Sequence, residues 1–208
     1  MDKIPRPTIK RLAMYYRCLE RMKEEGKEYT SSKEMAKRLG VKACQIRKDL
    51  SYFGEFGKRG VGYRVESLIT RLREILGIET VWKAIVIGAG NLGKAIAGHK
   101  AIKDQGFEIV ALFDVDRRKI GKKVGGLPVL HMNEVKDFVK KNNVRIAILC
   151  VPRESAQKAA SKLEEAGIEG ILNFSPSVIK ASIPVENVDI TVALKSLTFQ
   201  IIRRKGKK

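Results

Sequence analysis

Gly88-Ala89-Gly90-Asn91-Leu92-Gly93 is a G-x-G-x-x-G, and a carboxylate, Asp114, follows Gly93 by 21 residues. Those types at that spacing can capture a dinucleotide. Gly88 permits a tight turn, Gly90 lets a pyrophosphate approach the backbone, and Gly93 lets a helix pack close to a strand. The phosphates then sit on N–H groups at a helix N-terminus. Asp114, with Val115 beside it, is placed to accept hydrogen bonds from an adenosine ribose and to disfavour a 2′-phosphate. A bare G-x-G-x-x-G is a weak signal, and the bland alternative is a tight turn without a ligand.

The setting strengthens the motif. The apolar run Ala84-Ile85-Val86-Ile87 enters the turn, a helix-like stretch leaves it, and a second apolar run ends in Asp114. The pattern predicts strands over 83–87, 108–113, 127–131, 144–151 and 168–174, with helices near 91–104, 133–142 and 153–166. Such alternation implies a Rossmann-like doubly wound parallel sheet with its ligand at the carboxyl ends of the strands. Two further strand ends point at that crevice. They make Val151 and Pro152, and Asn173, Ser175 and Pro176, candidate pocket walls.

The first eighty residues read differently. Ile9, Leu12, Ala13, Tyr16, Leu19 and Met22 recur at helical spacing over 8–25. Ser31-x-x-Glu34 is a capping box, and the helix it opens stops at Gly40. After a short turn, 43–53 carries Ile46 and Leu50 on an inward stripe. Lys42, Gln45, Arg47, Lys48, Ser51 and Tyr52 are candidates to face a nucleic acid. Two short helices about a turn suit a helix-turn-helix. Gly54 to Val65, with four glycines and alternating apolar residues, predicts a hairpin with Lys58 and Arg59 at its tip. That is a winged helix with a basic wing suited to a minor groove. The alternative is an oligomerisation module with a solvated basic face.

A further helix over 66–77 leads to a short boundary. The expected division is a DNA-binding domain over 1–78, a nucleotide domain over 79–188, and a dimerisation helix with a basic tail over 189–208. From Asp189 to Arg203 the chain is apolar nearly all round a helix, which needs a cover. A second subunit in a C₂ dimer is the natural one.

Composition sets bounds. Lys and Arg outnumber Asp and Glu by 42 to 23, a net charge of +19. The excess is +8 over residues 1–80 and +11 over the rest. Such a field favours polyanions, although a lysine-rich surface is also an adaptation to heat. Cys18, Cys44 and Cys150 form no C-x-x-C, which argues against a disulfide framework or a zinc site; Cys150, in an apolar run, reads as a small core residue. No apolar run approaches the ~20 residues of a membrane span, and the N-terminus has no signal-peptide pattern. A cytosolic, metal-free protein is expected. With only His99 and His131 as histidines, and few residues after the last strand for a substrate domain, a dehydrogenase is disfavoured. A regulator responding to coenzyme A or ATP stays open.

The chain resembles the Rex redox-sensing transcriptional repressors of bacteria over nearly its full length. The matching stretches are Lys10-Arg11-Leu12, Tyr16-Arg17, Ser31-Ser32, Ile46 through Gly54, Gly57 through Tyr63, the Gly88–Gly93 turn, Phe113 through Asp116, and Gly167 through Pro176. The resemblance implies a homodimer whose last helix is swapped onto the partner. It also implies binding of palindromic double-stranded operator DNA when NADH is low and release when NADH rises. Arg17 and Asp189 match a pair that forms a state-dependent ion pair in the family. His99 stands where a Tyr near the nicotinamide is usual, and Ile190 where an aromatic is often found. Both departures bear on how sharply NADH is told from NAD⁺.

Overall fold

The computed structural model describes residues 4–58 and 60–205. Arg59, at the expected wing tip, and residues 206–208 of the basic tail lie outside them. The chain divides into two compact units, one up to Thr80 and one from Val81.

In the first unit, α1 spans Arg6–Glu24 and starts on Pro5, whose fixed φ suits a helix start. Leu12, Tyr15, Leu19 and Met22 are fully buried along it. The short strand β1 (Tyr29–Thr30) follows. Helix α2 (Ser32–Leu39) begins where the Ser31 side chain accepts from the Glu34 N–H, one half of the expected capping box; the Glu34 carboxylate turns instead to Lys27 and Thr30. Helix α3 covers Ala43–Ser51, strand β2 Tyr63–Arg64 and helix α4 Val65–Leu76. Ile46 and Leu50 of α3 join Met35 and the α1 and α4 residues in one apolar core.

The hairpin expected over 54–65 is shorter than its pattern implied. Lys58 and Gly62 exchange backbone hydrogen bonds across one antiparallel bridge. Tyr63 and Arg64 pair instead with Thr30 and Tyr29. Alternation specifies which side chains turn inward, not which strand receives the backbone groups.

One polar group sits in this core. Asp49 of α3 is fully buried, and its carboxylate accepts from Thr8 Oγ1 (3.1 Å), Arg11 Nε (2.6 Å), Arg11 Nη2 (2.8 Å), Tyr15 OH (2.6 Å) and Gln45 Nε2 (2.9 Å). These bonds tie α3 to α1. Burial alone would raise the carboxyl pKa, but the donors outweigh it and hold it at about 2.

The second unit is a seven-stranded sheet. Its elements are β3 (Trp82–Ile87), α5 (Asn91–Ala97), α6 (Ala101–Asp104), β4 (Phe107–Asp114), β5 (Lys123–Val124) and β6 (Leu127–His131). After a 3₁₀ turn come α7 (Val135–Asn142), β7 (Ile146–Leu149), α8 (Arg153–Glu165), β8 (Gly170–Asn173) and β9 (Val185–Asn187). The strand order is β5-β6-β4-β3-β7-β8-β9. All neighbours are parallel except β5 and β6. The chain leaves β3 toward β4 and β6, then returns to β7 on the other side, so the crevice opens at the carboxyl ends of β3 and β7.

One expectation is corrected here. The single helix over 91–104 is broken between Ala97 and Ala101. Gly98 weakens it, and the His99, Ile102 and Lys103 N–H groups bond three residues back, the tighter 3₁₀ spacing. The edge strands β5 and β9 are too short to carry a periodic signal in the sequence.

The chain closes with α9, Ile190–Lys205. Asp189 Oδ1 accepts from the N–H groups of Thr191 (2.8 Å) and Val192 (3.3 Å), which caps the helix. Its apolar residues are exposed in the single chain, Ile190 at 61% and Ile202 at 70%.

The Asp49 carboxyl sets an expected acid limit for the first unit. Its folded pKa lies below the ordinary 3.8, so its stabilisation is complete above that value and is lost as the pH falls through about 2. Denaturant unfolding followed between pH 5 and 2 will show this loss. Asp49→Asn will flatten that dependence and cost about 3 kcal/mol, the scale for breaking one side of a buried charged pair.

Candidate functional site

The Gly88–Gly93 turn joins β3 to α5. Gly88 has φ +98°, and a Cβ there would stand 2.5 Å from the Cys150 carbonyl oxygen. A Cβ on Gly93 would stand 1.9 Å from the Gly88 oxygen. Both glycines are required by the backbone's own packing. Gly90 is different. Its φ is −81°, and a Cβ on it would meet nothing within 4 Å. The protein itself does not need a glycine there, whereas a ligand crossing the turn would.

In front of the turn lies a cleft of about 840 Å³. Gly88, Gly90, Asn91, Leu92, Asp114, Val115, Val151 and Pro152 line it. So eight of the residues singled out in the sequence meet at one crevice. Ala89 and Gly93 are buried behind it. Ala89 N–H donates to Asp114 Oδ2 at 2.8 Å, linking the turn to the end of β4.

Asp114 is nearly buried and heavily engaged. Oδ1 accepts from the Asp116 N–H (2.9 Å), and Oδ2 also accepts from Lys119 Nζ (2.9 Å). Burial pushes its carboxyl up, but these donors prevail and hold it below the usual carboxylate range. Asp116 is held at about 2, chiefly by Arg118.

The sequence did not single out several lining residues: Asp116, Lys119, Asn133, Cys150, Lys158 and Lys162. Asp116 and Lys119 lie within five residues of Asp114 and could have been found by reading on past the strand end. The α8 lysines could not, because facing the cleft depends on how that helix lies on the sheet. Cys150, half-buried, packs against the core as expected and also lines this cleft. Burial pushes its thiol up to about 11, which keeps it protonated and a poor nucleophile.

His99, Asn173, Ser175 and Pro176 do not line the cleft. His99 is exposed at the break between α5 and α6. Asn173 and Ser175 are buried in a polar knot. Asn173 Nδ2 donates to Ser177 O (2.9 Å) and Asn187 Oδ1 (2.8 Å), and its Oδ1 accepts from the Ser175 N–H (2.9 Å). That knot joins β8 to β9, and Pro176 stands exposed beside it.

In the first unit, Lys42, Arg47, Lys48, Ser51, Tyr52 and Lys58 are all exposed. Arg47 Nη1 donates to Ser32 Oγ at 3.0 Å, which holds it at a concavity shared with Lys33 and Lys58. Gln45 is half-buried and spends its amide on Asp49. Arg17 is exposed on α1 beside Arg21 and Arg38. Among the described residues no group of three or more His, Cys, Asp or Glu could hold a metal ion. No helix among them is long and apolar enough to cross a membrane.

Two family models match the chain. "Putative DNA-binding protein N-terminus" covers residues 3–51, and "CoA binding domain" covers residues 79–177. The redox-sensing transcriptional repressor Rex of Thermosipho africanus is 56% identical over 201 residues, 97% of each chain. The chain belongs to the Rex family. Among solved structures, the Rex-family repressor RSP in complex with β-NAD⁺ and operator DNA aligns with a TM-score of 0.91 at 37% identity, covering 99% of this chain and 95% of that one. RSP in complex with β-NADH aligns at 0.88 and 35% identity, covering 99% and 97%. The Rex relatives are transcriptional repressors by name, and the dehydrogenase alternative falls with that.

The turn geometry separates its glycines. Gly93→Ala drives a Cβ into a backbone oxygen and will cost about 2 kcal/mol or more, in the range of overpacking. Gly90→Ala will unfold within about 1 kcal/mol of the unmodified protein. Thermal denaturation of both variants checks the contrast.

Proposed function

We propose that this Rex-family chain is a cytosolic repressor that reads the balance of NADH and NAD⁺ and reports it to DNA. What carries the reading is the end-to-end similarity to RSP, solved both with β-NADH and with β-NAD⁺ and operator DNA. The Gly88–Gly93 turn would hold the pyrophosphate, and Asp114 and Val115 the adenosine ribose. Val151 and Pro152 would wall the cleft, and His99, exposed at the break between α5 and α6, would stand on the nicotinamide side; Asn173, Ser175 and Pro176 would support the site only through the knot that joins β8 to β9. A Gly90 that leaves open space is what a pyrophosphate passing close to the backbone requires.

Lys42, Gln45, Arg47, Lys48, Ser51, Tyr52, Lys58 and Arg59 would face palindromic double-stranded operator DNA. Exposed bases around α3 supply phosphate contacts, which fix register before bases are read. Gln45 would act mainly through Asp49, steadying the helix.

The exposed apolar face of α9 would be covered by a second copy, giving a homodimer that presents two α3 helices to the two half-sites. Arg17 and Asp189, with Ile190, would change partners between the DNA-bound and released states. A ligand bound equally by both states shifts nothing, so release requires that NADH favour the state that does not fit the operator. The match to the CoA binding domain model favours one alternative effector, coenzyme A.

Three outcomes are expected. In gel-shift titrations NADH will release operator DNA at concentrations at which NAD⁺ and coenzyme A do not; equal effects would overturn the sensor reading. Gly90→Ala, though stably folded, will bind NADH at least tenfold more weakly by calorimetry. Truncation after Val188 will turn dimers into monomers by light scattering.

A further inference from the structure

The segment after β4 carries two acids and three bases in six residues, Asp114-Val115-Asp116-Arg117-Arg118-Lys119. The acids are paired in a nested way. Lys119 Nζ meets Asp114 Oδ2 at 2.9 Å and stands 3.9 Å from Asp116 Oδ2. Arg118 takes Asp116 with Nε and Nη2, at 3.0 and 2.9 Å. An NAD-selective site rejects a 2′-phosphate because its carboxylate is charged and wants donors, not another anion. Here that carboxylate has an ammonium in contact with it and two backbone N–H donors filling its oxygens.

Lys119 is not consumed by the pair. It lines the cleft and keeps 36% of its side chain exposed. Lys158 and Lys162 of α8 line the same cleft, and Lys162 Nζ donates to Asn133 Oδ1 at 2.8 Å. The lining charges are Asp114, Asp116 and Glu154 against Lys119, Lys158 and Lys162. So the lining of the cleft as a whole is balanced rather than acidic. A lysine ammonium is a compact charge with three rotatable donors and can serve a carboxylate and a phosphate at once.

We propose that Lys119 is a specificity-determining residue. It neutralises Asp114 and offers an ammonium to a phosphate on the adenosine ribose, and so sets how weakly the cleft turns away 2′-phosphorylated dinucleotides. The proposal rests on the nucleotide reading above and deepens it.

Calorimetric titration of the full chain with NADH and with NADPH tests it. In Lys119→Gln the affinity for NADPH relative to NADH will fall at least tenfold, and Lys119→Arg, which keeps the charge, will stay within about threefold of the unmodified ratio. Raising the salt concentration will weaken NADPH more than NADH in the unmodified protein and equally in Lys119→Gln. A ratio left within threefold by Lys119→Gln, or lost equally in Lys119→Arg, overturns the role of Lys119 while leaving the nucleotide site in place. Failure of the unmodified chain to bind NADH at all overturns both readings.

Discussion

The close approach of backbone to backbone at Gly88 is the constraint from which the second unit takes its shape. The Gly93 Cα closes on the Gly88 oxygen, and Gly88 itself lies against the Cys150 carbonyl. No side chain fits either contact. Helix α5 can therefore start directly over the end of β3, and β7 can lie directly beside it. The cleft exists because those three backbones meet without side chains between them. Asp114 closes the arrangement by accepting from the Ala89 N–H, which fastens β4 to the same turn.

In the first unit the comparable role falls to a charge. Asp49 is buried on α3 and satisfied by donors from α1 and from its own helix. A buried carboxylate is costly unless its oxygens are filled, and the donors that fill it arrive in one orientation of α3. The exposed bases of that helix are thus presented from a fixed platform. The net charge of +19 gives attraction to polyanions in general, while the platform decides which bases form the face.

The last helix belongs to neither economy. Its apolar residues surround the helix, and in a single chain they face solvent. Water on so much apolar surface is unfavourable, a cost that the proposed second copy would relieve. Asp189 at its head fixes where the helix begins.

What the sequence determined by itself was the class of each part. The glycine spacing with Asp114, the β/α alternation, the N-cap at Ser31 and the apolar stripe of α3 are local patterns, and local patterns survive without knowledge of neighbours. The longer strands and most helices were legible for that reason. Tertiary structure decided what depends on distant partners. Tyr63 and Arg64 pair with β1 because that edge was available, and Asn173 and Ser175 turn into a knot with Asn187 instead of toward the cleft. Lys158 and Lys162 line the same cleft as Lys119 because of how α8 packs in the second unit. Spacing along a chain fixes the turn that could hold a phosphate, but which charges surround it depends on elements packed from elsewhere in the sequence.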